Sequence, residues 1–220
     1  MKTSKNKLTL YFKVLYMNSE EKYLNDIKDI RRIMDRSSQF LSLSGLSGIL
    51  AGIYALIGAF VVHQLIKNHH SRYVYIESNT FKLILLTALL VLIASVLTAV
   101  LLSARKARKN GEMVWNSVSK RMAVNFIIPL LTGGLFSFLL IRHGYYGLIG
   151  PVTLIFYGLA CLNASKYTIS DIRYLGLTEI LLGLIAVEYP GNSLYFWAVG
   201  FGFFHILYGS VMYIKYDRQK

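Results

Sequence analysis

SSQFLSLSGLSGILAGIYALIGAFVVHQLI, residues Ser37 to Ile66, holds no Lys, Arg, Asp or Glu and lies between Arg36 and Lys67. About 20 apolar residues cross a bilayer as a helix, so this stretch is long enough to span with some tilt. Ser44, Gly48 and Gly52 recur every four residues, and Ala55 and Ala59 nearly continue the stripe. Small residues at that period let helix backbones approach closely where dispersion and packing hold helices together. The stretch therefore predicts a helix at the packing centre of a membrane bundle, although glycine is common in such helices for other reasons too.

Outward from it, the chain repeats the pattern. Of the 220 residues, 55% are hydrophobic and 16% charged, and the mean hydropathy is +0.47. Soluble domains carry about a quarter charged residues, and here the apolar residues fall in long blocks. Five further spans are expected: Leu83 to Ala104, Met122 to Ile141, Gly147 to about Ser165, about Ile172 to Val187 and Ser193 to Ile214. Pro129 with Gly133 and Gly134 can kink the third span where neighbours satisfy the freed backbone. Pro151 falls near the start of the fourth, where proline fits the first helical turn. Short connections at Arg142–Tyr146 and Glu188–Asn192 make antiparallel hairpins of the adjoining helices. The fold class is all-α: six transmembrane helices (37–216) after a cytoplasmic segment (1–36), with a short tail (217–220).

The first 36 residues read differently. Asn18 and Glu21 form a capping-box pattern. Tyr23, Ile27, Ile30, Ile33 and Met34 then share one face, with Lys28, Arg31, Arg32 and Asp35 on the other. Such an amphipathic helix lies on a lipid surface or docks on a cytoplasmic protein partner through residues 18–36. Five acidic residues there offset much of its positive charge. Translation starts either at Met1, leaving a basic tail, or at Met17.

The formal charge of +13 would suit nucleic acid in a soluble protein, but in a membrane protein its distribution carries the information. With the N-terminus inside, only Lys67, Arg72, Lys82 and Arg142 of the 24 Lys and Arg fall on the outer side. This bias places both termini in the cytoplasm and makes the lipid bilayer, with no nucleic acid, the expected partner. The sequence also allows a homo-oligomer. The single cysteine, Cys161, excludes a disulfide within the chain.

Glu179 and His205 are the ionisable residues, tyrosines and Cys161 aside, that fall deep inside expected spans. A charge there is costly and marks either a functional site or a hydrogen-bonded pair that locks two helices. Counted from the turn at Pro190–Gly191, they lie about one helical turn apart in depth, and Gly202 and Gly209 are expected to bring the two helices close. His63, His69, His70 and His143 gather on the outer side with Glu77 and Glu188, without a spacing diagnostic of metal. No nucleotide or Cys-based metal motif is present, so no cofactor is expected.

Gly45-Leu46-Ser47-Gly48 resembles the G-x-S-G of rhomboid intramembrane proteases, with His205 as a base on a later span. The likeness covers four residues, and the other rhomboid motifs are missing. Ile30 to Ala59 and Trp197 to Arg218 together resemble an uncharacterised family of bacterial six-span membrane proteins, often found beside a winged-helix regulator. That resemblance implies a bacterial inner-membrane location and a regulatory context, with no established activity. The leading expectation is thus a non-enzymatic sensory, regulatory or partner-binding membrane subunit. A small transporter or channel subunit using Glu179 and His205 is the alternative, and an intramembrane enzyme the third. Reporter fusions after Lys220 and between Asn68 and Asn79 should report opposite sides of the membrane; the same side for both would overturn the six-span reading.

Overall fold

The computed structural model describes residues 40, 42–68 and 78–218. The amphipathic segment 18–36, both candidate starts, His69, His70 and Glu77 lie outside these residues. The described chain is all-helical, with one isolated bridge pairing Phe40 and Thr168 in place of any sheet. Its helices are α1 (Gly45–Lys67), α2 (Asn79–Lys109), α3 (Ser117–Arg142), α4 (Tyr146–Ala164, opening with a 3-10 turn), α5 (Ile172–Val187) and α6 (Pro190–Asp217).

Five of these, all but α5, are long and apolar enough to cross a membrane. With 16 residues α5 rises only about 24 Å at 1.5 Å per residue, short of the roughly 30 Å of a hydrocarbon core. The outer helices present their side chains to the surroundings. The apolar window of α2 has no buried residue, and Leu90, Leu97 and Leu101 are more than half exposed. An apolar surface of that extent is one that water does not tolerate and lipid does.

The helix ends follow from local chemistry. Ser78 accepts from the Phe81 N–H at the start of α2, and Asn116 closes a capping box with Ser119 at the start of α3. Helices α2 and α3 both stop in Schellman turns. Gly111 and Gly144 take positive φ there, and the N–H groups of Glu112 and Tyr145 return to the carbonyls of Ala107 and Leu140. His143 is thereby the C-cap of α3. Ser44 turns out to be the residue before α1, and the helix begins at Gly45. Its side chain supplies no cap. Asp217 at the end of α6 does so instead, accepting from the Gly45 N–H at 2.9 Å and from the Ser44 hydroxyl at 3.5 Å. Lys106 of α2 pairs with the same carboxylate and donates to the Leu43 carbonyl at 2.7 Å. One aspartate thus ties α1, α2 and α6 at one end, where the helix dipole favours a negative charge.

Two seams of small residues set the packing. In the first, α1 lies on α6. A Cβ at Gly48 would stand 3.2 Å from Gly209 Cα, and one at Gly52 would meet the Gly202 carbonyl at 2.7 Å; Gly45 faces Tyr213 and Gly209. Ala55 and Ala59 are buried in continuation, and Gly58 turns to Val91 of α2. In the second, α4 lies on α5, with Gly158 and Gly176 each against the other's carbonyl and Gly183 against Ile155 and Pro151. Helix α3 covers α4 through Gly133 and Phe156, and it runs unbroken through Pro129. The structure corrects one expectation: Gly202 and Gly209 face α1, not α5, because α6 carries a glycine on each side and Gly200 is the one that meets α5.

Gly48→Leu and Gly209→Leu should each lower unfolding stability in mild detergent by roughly 1–3 kcal/mol or more, since no flexible side chain can yield to the added atoms. Gly134, with no neighbour within 4 Å of its would-be Cβ, should accept leucine without loss. Equal tolerance at all three positions would contradict the seam.

Candidate functional site: a buried carboxylate and imidazole

Three helices deliver the polar groups. Glu179 sits midway along α5 with no exposed surface, and His205 on α6 is 7% exposed. Their depths match because α5 and α6 form a hairpin through the Pro190–Asn192 turn. His205 Nδ1 is 3.4 Å from Glu179 Oε1. That is ion-pair distance, but the ring is not aligned on the carboxylate. Neither carboxylate oxygen has a hydrogen-bond partner among the described residues.

The alignment goes elsewhere because of the backbone. Ala198–Phe204 is a π-helical stretch, so residues five apart are neighbours along the axis. The His205 ring therefore reaches back to the Gly200 carbonyl, to which Nδ1–H donates at 3.1 Å. A carbonyl only accepts, which assigns the proton to Nδ1. The other nitrogen, Nε2, lies 2.8 Å from the Tyr157 hydroxyl of α4. A neutral imidazole accepts the tyrosine proton there, whereas an imidazolium donates to the tyrosine oxygen. The Tyr157 hydroxyl therefore reverses direction with the charge on the ring.

The walls are apolar and aromatic. Phe201 stacks on His205 with centroids 5.6 Å apart and touches Tyr157 at 5.0 Å; Trp197 and Phe126 flank these rings. Gly200 is required for the carboxylate to fit, since a Cβ there would stand 2.5 Å from both Glu179 Oε2 and Leu154. The buried Cys161 thiol follows Tyr157 by one turn of α4, and the Tyr208 hydroxyl, buried on α6, has no hydrogen-bond partner among the described residues. An isolated carboxylate anion in such surroundings costs several kcal/mol. The site therefore holds either a neutral acid beside a neutral imidazole or a carboxylate balanced by imidazolium.

The remaining candidates stand apart from this cluster. Ser47 donates to the Ser44 carbonyl of its own helix at 2.6 Å, and no hydrogen bond joins it to His205. His63 packs against Tyr195 at 6.0 Å between the ends of α1 and α6. No group of three metal-ligating side chains forms among the described residues. At the opposite end, Lys215 donates to Asp171 at 2.6 Å and holds its carboxyl below the usual range. Tyr157 and Gly200 were not singled out from sequence. The signal available was a tyrosine hydroxyl at mid-span, a group that needs a partner in lipid.

No protein-family model, curated protein or solved structure matches the chain.

Tyr157→Phe leaves the His205 nitrogen without its partner and should cost about 1–3 kcal/mol. Gly200→Ala should cost at least as much, because its methyl group displaces Glu179 or Leu154. Thermal unfolding in mild detergent compares both, and a neutral Gly200→Ala would show that the carboxylate is not confined.

Proposed function

We propose that the chain is a six-span membrane protein whose Glu179–His205–Tyr157 cluster reports protonation through the packing of α5 and α6, in the manner of a sensory or regulatory subunit. One observation carries this reading: a fully buried carboxylate stands 3.4 Å from an imidazole and has no hydrogen-bond donor of its own. A purely structural lock would align donor with acceptor. Here the donor is spent on Gly200, which leaves both carboxylate oxygens without a partner among the described residues.

In this reading α5 crosses as the fifth span, its short length met by local thinning or by flanking polar residues. Ten of the thirteen described Lys and Arg gather at the Asp217 end of the bundle, which supports the reading that this end faces the cytoplasm. The bacterial inner membrane and a cytoplasmic partner for residues 18–36 rest on the sequence reading above. The π-helical break in α6 favours the second reading, a small transporter or channel subunit, since interrupted helices at mid-membrane line substrate sites in such proteins.

The chain has two tryptophans, so a Trp115→Phe background leaves Trp197, which touches Phe201 against the imidazole, as the optical reporter. Its emission should respond to pH, and Glu179→Gln should reduce or abolish that response while the protein stays folded. Emission that is flat with pH, or unchanged by Glu179→Gln, would sink the sensor. Proton-coupled flux in liposomes that is lost in Glu179→Gln would select the transporter.

A further inference from the structure

A second site lies at the charged end of the bundle. The end of α2 and the end of α6 enclose a cavity of about 350 Å³, lined by Arg105, Lys106, Lys109, Tyr216 and Asp217. Three of these polar groups are already committed: Asp217 and Lys106 to each other and to the start of α1, and Tyr216 to Asp171 at 3.0 Å. Arg105 and Lys109 differ. They are four residues apart on one face of α2, both are exposed, and neither forms an ion pair among the described residues. Two cations that form no ion pair among the described residues thus line one concave space.

The surroundings give the depth. Leu101, one turn before Arg105, is 63% exposed, and Leu46, which also lines the cavity, is 40% exposed. The cavity therefore sits where the apolar surface gives way to the charged end. A guanidinium offers a planar pair of donors to phosphate oxygens and an ammonium adds a point charge.

We propose that this cavity binds a phosphate group through Arg105 and Lys109, and that the adjoining leucines point to the headgroup of an anionic phospholipid as its source. The inference rests on membrane embedding and not on the Glu179 cluster.

The test titrates phosphatidylglycerol, phosphatidylcholine and inorganic phosphate separately into the full chain in neutral detergent, following the thermal unfolding midpoint. Phosphatidylglycerol should raise the midpoint and phosphatidylcholine should not. Arg105→Gln with Lys109→Gln should weaken the phosphatidylglycerol effect more than tenfold, at about 1 kcal/mol per basic residue near an anionic surface. Arg108→Gln with Arg121→Gln removes the same charge from the same end outside the cavity and should leave the effect intact. Protection by inorganic phosphate that depends on Arg105 and Lys109 would support the phosphate site with a soluble source. No protection by either anion, or equal loss in both double variants, would overturn the proposal. Glu179→Gln should bind phosphatidylglycerol as the parent does, which separates failure here from failure of the sensor.

Discussion

Everything in the bundle depends on how closely α1 can approach α6. In lipid no hydrophobic effect drives two apolar helices together; what remains is dispersion between atoms in contact and hydrogen bonding between backbones and side chains. Glycines 45, 48 and 52 on one helix and 202 and 209 on the other bring backbone against backbone. The contact also fixes the rotation of α6. With Gly202 and Gly209 turned to α1, the opposite side of α6 carries Gly200 and the His205 ring towards α4 and α5. The polar cluster is therefore positioned by a contact that contains none of its members.

The cluster shows how a charge survives in apolar surroundings. Desolvating a carboxylate and an imidazolium costs more than their mutual attraction returns unless further hydrogen bonds are made. The imidazole makes two, to Gly200 and Tyr157. The carboxylate makes none, and its oxygen stands beside the Gly200 backbone because no side chain occupies that space. The imbalance between a satisfied base and an unsatisfied acid distinguishes this pair from the Lys215–Asp171 pair at the bundle end, where water screens the charges and the geometry is direct.

Much of this was legible in the sequence where the physics is one-dimensional. The helix Ile172–Val187 lies where its hydropathy implies, and Glu179 and His205 stand out because no other Lys, Arg, Asp, Glu or His lies as deep in the spans around them. What needed three dimensions was less visible. The direction of Gly202 and Gly209 depends on helix rotation, which the π-helical stretch alters without a mark in the composition. Ser44 shares the period of Gly48 and Gly52 yet lies outside the helix, since α1 is started by a carboxylate 173 residues away. The α4–α5 seam carried the same small-residue signal at Gly158, Gly176 and Gly183, spread over two spans instead of concentrated in one.

The carboxylate of Asp217 has a consequence for how such a chain is made. Helices emerge from a ribosome in order, and α4 and α5, being neighbours in sequence, can zip together as soon as both are in the bilayer. Helix α1 must wait. Its first turn has exposed N–H groups until α6 arrives, and its glycine face has no counterpart until then. Helix α1, made well before α6, is thus among the last of the described helices to find its final neighbours. The half-made bundle is a hairpin with an unfinished partner, held open until α6 supplies both the glycines and the acid that close it.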